Sequence, residues 1–162
     1  MKTAAIALIV LVLIVSATLG YALFHTNLQV VAKGMQVIPA QDRPGDFEQL
    51  RQAAAQRSLL GTVLTAGELG EAQDYTYYVY SLRLKNSGLV PAEMVELQIS
   101  PIAQDALFYG AAEEIVIPPG ETRDVWCVLL TRGAPHPVRD MYITYYLWGH
   151  PQEVKFTYDN AQ

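Results

Sequence analysis

The sequence predicts a mainly β protein, an antiparallel sandwich of about seven strands with one short helix, preceded by an N-terminal transmembrane helix. Three observations lead to this prediction. Residues 4–24 contain no charged side chain, and a helix of roughly 20 apolar residues can cross a bilayer core. From residue 59 onward, strand-like segments recur about every 8 to 15 residues without alternating helices, as in antiparallel sandwiches. Residues 46–57 are the one soluble segment with helical periodicity.

The N-terminal segment, residues 1–26, fits either a retained membrane anchor or a cleaved signal peptide. Residues 15–17, Val-Ser-Ala, form a tolerable cleavage site. The apolar run continues beyond Ala17, and Tyr21 and Phe24 lie where an interfacial aromatic belt belongs. These features favour the anchor, which would contact the lipid bilayer through residues 4–24.

The few charges near this segment set the expected orientation. Lys2 and the amino terminus precede it, and short cytoplasmic flanks are enriched in positive charge. We therefore expect a single-pass protein of the cell membrane, with the N-terminus inside and the C-terminal domain outside. The alternative is a protein secreted after signal-peptide cleavage, with a mature chain that starts at Thr18.

Charge and cysteine content exclude several classes of protein. Without Lys2, ten of the eleven Lys and Arg residues remain against 16 Asp and Glu residues, a formal balance of −6. Such a chain repels phosphates, so no nucleic-acid partner is expected. Cys127 is the single cysteine and cannot form an internal disulfide, and its apolar neighbours predict a buried side chain.

Residues 27–58 precede the predicted sandwich. Residues 27–40 read as an extended stalk or a first strand. In the helix of residues 46–57, Asp46 has the position of a cap, and Phe47, Leu50 and Ala54 share one face. We expect this helix to lie against the sheet; the alternative is a partner-binding helix near the membrane.

The sandwich itself is predicted over residues 59–162, around the stretch from residue 75 to residue 100. In its first half, one face carries Tyr78, Tyr80, Leu82 and Leu84, and this period of two indicates a half-buried strand. The other face carries Tyr77, Val79, Ser81, Arg83 and Lys85. Turn residues follow at 85–88, and the alternation resumes with Val95, Leu97 and Ile99 facing one side. Further strands are predicted at 59–65, 106–109, 114–117, 123–131, 141–148 and 153–158, with a hairpin turn at 149–152.

Two turn motifs carry a resemblance to a known family. Residues 82–88, Leu-Arg-Leu-Lys-Asn-Ser-Gly, and residues 115–122, Ile-Val-Ile-Pro-Pro-Gly-Glu-Thr, resemble bacterial extracytoplasmic immunoglobulin-like or fibronectin-III-like domains. The resemblance implies an immunoglobulin-like sandwich in the cell envelope, with a role in adhesion, spacing or assembly. It implies no catalytic residue.

Aromatic side chains are the candidate interaction residues, since the chain contains ten Tyr and two Trp. Tyr142, Tyr146 and Trp148 share one strand face and could form a flat stacking surface for a sugar or peptide. Tyr75 and Tyr77 lie on the strand phase opposite to Tyr78 and are further candidates. The alternative is structural, because cross-strand aromatic pairs stabilise sheets by about 0.2 to 1 kcal/mol each.

Catalytic, metal and cofactor motifs are not evident. His136 and His150 lack partners at metal-ligand spacing, and the serines lack a motif that would provide a base. We therefore expect a non-catalytic, membrane-anchored, extracytoplasmic protein without a cofactor, which mediates protein or cell-envelope interactions. The alternatives are a carbohydrate-binding module that uses the aromatic strand face, and an accessory subunit of a membrane complex.

Overall fold

The computed structural model describes residues 2–24, 28–65, 68–133 and 138–159. These residues form two α-helices and eight strands. The helices are α1 (Lys2–Phe24) and α2 (Pro44–Ala55), and the strands are β1 (Leu28–Pro39), β2 (Thr62–Val63), β3 (Tyr75–Asn86), β4 (Glu93–Ile99), β5 (Asp105–Gly110), β6 (Thr122–Arg132), β7 (Val138–Leu147) and β8 (His150–Asp159). The prediction of a mainly β protein is confirmed, with eight strands in place of about seven.

The prediction of a transmembrane helix at residues 4–24 is wrong. Crossing a bilayer takes about 20 consecutive, predominantly apolar residues in one helix. Within the described ranges, which include α1, no helix combines the length and the apolar character needed to span a membrane.

The strands form two antiparallel sheets that enclose the main core. One sheet has five strands in the order β1-β3-β6-β5-β2, and the other has three in the order β4-β7-β8. The inward faces meet in one cluster of buried side chains. From the five-stranded sheet it contains Tyr78, Tyr80, Leu82, Leu84, Val125, Cys127 and Leu129, and from the three-stranded sheet Val95, Leu97, Ile99, Met141, Ile143, Tyr145, Leu147 and Tyr158. The predicted inward phases of β3 and β4, and the burial of Cys127, are confirmed.

A second, smaller core lies on the opposite side of the five-stranded sheet, beneath α2. Phe47 of α2 is 3 % exposed and packs there with Tyr75, Tyr77 and Leu130. The helix starts two residues before the predicted position because Pro44, with its fixed φ, occupies the first turn. The predicted cap at Asp46 does not form; this residue instead lies within the first turn, with its carboxylate 3.4 Å from Nη1 of Arg43.

For three other segments, the structure decides between two predicted forms or shows a shorter strand than predicted. Residues 28–39 form the strand β1 and pair with β3 along their length, so the strand and not the stalk is found there. The strand predicted at 59–65 is reduced to the two residues of β2. The strand predicted at 114–117 is reduced to one bridge between Ile117 and Ala92, since Pro118 and Pro119 follow and cannot donate to a ladder.

One buried ion pair connects the two sheets. Asp105 of β5 and Arg139 of β7 form it, with side chains that are 0 % and 4 % exposed. The carboxylate also accepts hydrogen bonds from Thr131 Oγ1 at 3.0 Å and from the backbone N–H of Ile102 at 2.8 Å. Nη2 of Arg139 donates to the carbonyl oxygen of Ser100 at 3.2 Å. Charged groups at such depth require partners of this kind.

Candidate functional site

The central strand of the three-stranded sheet presents its aromatic residues in the predicted phase. Ile143, Tyr145 and Leu147 are buried against the core. Tyr142 is half-buried on the opposite side, and Tyr146, on that same side, is 37 % exposed. This side of the sheet, called the outer face below, is open because α2 packs on the other sheet.

Strand register defines the rest of the outer face, since directly paired residues point to the same side of a sheet. Glu96 and Gln98 of β4 pair with Thr144 and Tyr142, respectively. On the other flank, β8 places Pro151 beside Tyr146, Glu153 beside Thr144 and Lys155 beside Tyr142. The outer face is therefore a strip of aromatic side chains between two polar, partly acidic strands.

Lys155, the single lysine among these residues, already forms an ion pair. Nζ of Lys155 lies 2.8 Å from Oδ2 of Asp140 and 5.6 Å from the centroid of the Tyr142 ring. The hydrogen bond between the two side chains raises the pKa of Lys155 and lowers the pKa of Asp140, to which Thr157 also donates. Among the residues that the structure describes, no cation pairs with Glu96 or Glu153, so the face carries a negative balance beside its tyrosines.

A shallow depression of about 350 Å³ lies at the end of the outer face nearest the hairpin turn. Its lining includes Met94, Glu96, Tyr146, Pro151 and Gln152. Apolar and polar groups therefore alternate around a concave surface, as at the edges of many recognition sites.

Trp148 lies in the turn between β7 and β8 and is 65 % exposed. Leu147 pairs with His150, so the turn residues are Trp148 and Gly149, and the hairpin turn predicted at 149–152 lies further along the chain than the observed one. Both residues have positive φ, at 52° and 77°, as a type I′ turn requires. Gly tolerates this backbone, whereas a bulky residue such as Trp rarely adopts it. Strain of this kind is often found where a side chain is held for recognition.

Tyr75 and Tyr77 do not belong to the outer face. They are 6 % and 5 % exposed and lie under α2, on the far side of the other sheet. The Tyr75 ring lies 5.5 Å from that of Phe47, and its hydroxyl accepts a hydrogen bond from the N–H of Gly70 at 3.2 Å. Burial raises the pKa of Tyr77, and Tyr109 and Asp46 raise it further. Both phases of this half of β3 are buried, which removes the two tyrosines from any exposed surface.

The described residues offer little for metal or nucleophilic chemistry. No group of three or more His, Cys, Asp or Glu side chains gathers closely enough to hold a metal ion within the described ranges. His150 is exposed at the start of β8, and His136 lies outside the described residues. Burial raises the pKa of Cys127 to about 12, so this thiol remains protonated at neutral pH.

Sequence patterns identified the tyrosines of the outer face but not their neighbours. Glu96, Glu153 and the pair of Lys155 with Asp140 become part of the same surface only through strand register. The short hairpin between β7 and β8 contains the relevant signal, because a two-residue turn fixes which residues pair. Placing that turn at Trp148 and Gly149 would have aligned Lys155 with Tyr142.

Similarity to known proteins is found among solved structures. No family model matches the chain, and no curated protein matches it. A FixG-related protein of Vibrio parahaemolyticus is similar over 80 % of this chain and 97 % of its own, with 14 % identity and a TM-score of 0.36. The ApaA protein of Bordetella pertussis is similar over 85 % of this chain and 96 % of its own, with 19 % identity and a TM-score of 0.42. At these TM-scores neither similarity bears on the function of this chain.

Proposed function

We propose that this chain is a non-catalytic binding module that contacts a protein or a component of the cell envelope through the outer face. The observation that supports this proposal is the exposure of Tyr146 and Trp148 at one end of an open sheet face. Tyr and Trp are enriched at recognition sites because each combines a large apolar area with a polar group and few rotatable bonds.

The surroundings of the two aromatic residues favour a protein partner. Glu96, Glu153 and the engaged Lys155 provide a polar rim around an aromatic centre. Interfaces between proteins commonly have this arrangement, with aromatic anchors in the middle and charged groups at the edge.

We infer that the module works outside the cytoplasm. The side chains along α1, from Ile6 at 61 % exposed to Val15 at 54 % exposed, do not pack into the sandwich. Exposed apolar side chains in this N-terminal stretch fit the alternative of an export signal, removed after Ala17. We include the immunoglobulin-like character of the sandwich in the same proposal. It is supported by the hydrogen bond from Asn86 to Ile117, which connects the two turn motifs.

The test is capture of partners from an envelope fraction by wild-type protein and by two variants. Trp148→Ser with Tyr146→Ser removes the two exposed aromatic groups and leaves the half-buried Tyr142 in place. Leu89→Ser is the matched control, because Leu89 is an apolar residue that is 61 % exposed in the loop between β3 and β4. We expect the double variant to lose a stoichiometric partner that wild type and control retain. Equal capture by all three proteins would contradict the assignment of the outer face.

A carbohydrate ligand is the second candidate, favoured by the open side of the sheet on which Tyr142 and Tyr146 lie. Sugar rings stack on such aromatic surfaces through their apolar faces. A glycan array distinguishes the two candidates. Binding of the wild type that the double variant loses would support the sugar, and a blank array would eliminate it.

A further inference from the structure

β4 has one edge that the sheet leaves free. The N–H of Ser100 donates to the carbonyl oxygen of Asp140 at 2.9 Å, so these two residues are a hydrogen-bonded pair at the end of the β4–β7 ladder. In an antiparallel ladder such pairs alternate with pairs whose backbone groups point away from the partner strand. Leu97 and Ile99 belong to this second kind, and their N–H and C=O groups point away from β7.

A neighbouring segment covers only the first half of that edge. Ala92 and Ile117 exchange two hydrogen bonds of 3.0 and 2.8 Å, and the N–H of Val95 donates to the carbonyl oxygen of Ile115 at 2.9 Å. Beyond this point the chain leaves β4. Within the described ranges, the outward backbone groups of Leu97 and Ile99 have no further strand beside them.

The free half of the edge opens into a cleft of about 850 Å³ between β4 and the edge of the five-stranded sheet formed by β2 and β5. Leu64, Phe108 and Tyr109 line the side opposite β4. An added strand would place alternate side chains against this apolar wall while its backbone hydrogen-bonds to β4.

The charged residues that line the cleft are all acidic. Glu96, Glu113 and Glu114 lie in its lining, which contains no Lys, Arg or His residue. All three carboxylates are exposed, and none forms an ion pair within the part of the chain that is described. An occupant with cationic side chains at its solvent-facing positions would therefore match this rim.

From this geometry we propose that the free edge of β4 binds an extended, basic segment of a partner protein as an additional strand of the three-stranded sheet. Unprotected edges are templates for such pairing, and many proteins block them with Lys or Pro. The free part of this edge carries neither residue before Pro101. The cleft shares Glu96 with the outer face but not its aromatic residues Tyr146 and Trp148, and the inference does not depend on those two.

Fluorescence anisotropy with two labelled peptides tests the proposal on the full chain. The basic probe is Lys-Val-Lys-Val-Lys-Val-Lys, and the acidic probe has Glu in place of each Lys. We expect the basic probe to bind at least ten times more tightly than the acidic one. We also expect a loss of at least tenfold in the variant that combines Glu113→Gln and Glu114→Gln, two residues that line the cleft but not the outer face. Absence of binding, or equal binding of the two probes, would overturn the proposal.

N-methylation of the probe tests strand addition itself. Methyl groups on alternate backbone nitrogens block one edge of an extended peptide, and the two phases of methylation serve as controls for each other. One phase should abolish binding and the other should leave it intact; equal effects would rule out an added strand. The matched variants Glu153→Gln and Trp148→Ser lie outside the cleft and should bind the probe normally, so that this test and the test of the outer face can fail separately.

A second copy of the chain is the competing occupant of the edge. Sedimentation measures it directly. A dimer that the basic probe does not dissociate, together with weak probe binding, would assign the edge to self-association and contradict the proposal.

Discussion

Asn86 donates a side-chain hydrogen bond to the carbonyl oxygen of Ile117 at 2.9 Å, and so joins two loops that are 31 residues apart in the chain. The same amide group donates to the carbonyl oxygen of Val90 at 2.7 Å, and its oxygen accepts from the N–H of Gly88 at 2.9 Å. The backbone of Asn86 adds bonds to Gly120 and Glu121. A fully buried side chain with all of these partners fixes the end of β3 against the turn that precedes β6.

Replacement of Asn86 by Ala should therefore destabilise the domain strongly. The carbonyl oxygen of Val90 and the N–H of Gly88 lose their partner, and the carbonyl oxygen of Ile117 keeps only the N–H of Ala92. The cost should be roughly 2–4 kcal/mol in the free energy of unfolding. Urea unfolding followed by tryptophan fluorescence measures this change. Ser87→Ala is the control, since Ser87 is the exposed neighbour in the same turn, and it should change little. Equal stabilities of the two variants would show that the amide contacts are unimportant.

The contact of Asn86 with Ile117 also shows which structural features can be predicted from the sequence. Both turn motifs were recognisable from their Asn, Gly and Pro residues, because turn chemistry is local. Their contact is not local, and nothing in either motif specifies its partner. The period of two that places Tyr78 and Tyr80 in phase with Leu82 and Leu84 likewise predicted the inward face of β3, because one side of a half-buried strand must be apolar.

The incorrect predictions also arise from contacts between distant segments of the chain. Tyr75 and Tyr77 are on the expected outward phase of β3, yet α2 covers that phase at one end of the sheet. The helix could be predicted from Phe47 and its neighbours, but not the place where it packs. The free edge of β4 was also beyond prediction, since it exists only because residues 113 and 114 turn away from the strand.

Removal of one partner from the buried ion pair should cost far more than removal from an exposed one. Arg139→Met leaves the carboxylate of Asp105 buried without its cation, and such losses amount to about 3–5 kcal/mol. Arg83→Met is the matched control, because Arg83 and Asp124 also pair across two strands but are 57 % and 61 % exposed. Water solvates the remaining Asp124, so that variant should unfold almost like the wild type.

The double variant Asp105→Leu with Arg139→Met separates two causes of this loss. If the uncompensated charge is responsible, the double variant should recover much of the stability, since a buried pair can often be replaced by apolar residues. A double variant as unstable as Arg139→Met would instead indicate that the hydrogen bonds to Thr131 and Ser100, each within one sheet, are needed for stability. Urea unfolding of the wild type, Asp105→Leu, Arg139→Met and the double variant completes the cycle.

Alkaline pH should destabilise the fold through its buried phenols. Burial is the main cause that raises the pKa of Tyr80 to about 12, and it raises the pKa of Tyr78 as well. The unfolded chain ionises near pH 10, so the stability from the neutral, buried form is complete below that pH. It is lost as the pH rises toward 12, by up to about 1.4 kcal/mol per pH unit for each such group.

Tyr80→Phe tests this assignment. The variant should lose stability less steeply than the wild type between pH 9 and pH 11, because it lacks one of the phenols that ionise on unfolding. Tyr146→Phe removes a hydroxyl from an exposed position and should follow the wild type. Parallel curves for all three proteins would contradict the role of Tyr80 in the alkaline transition.

Trp148 should show opposite effects on stability and on binding. Its φ of 52° lies in the left-handed region, where Asn is favoured and where Asn-Gly is the preferred pair for a type I′ turn. Trp148→Asn should therefore raise the free energy of unfolding by about 0.5–1 kcal/mol while it abolishes binding to the proposed partner. Trp126→Asn is the control. It replaces a strand residue whose ring contacts that of Tyr109, so the free energy of unfolding should fall. If Trp148→Asn is instead destabilised like the control, the Trp148 side chain supports the hairpin by packing, and its unfavourable backbone is no longer an argument for recognition.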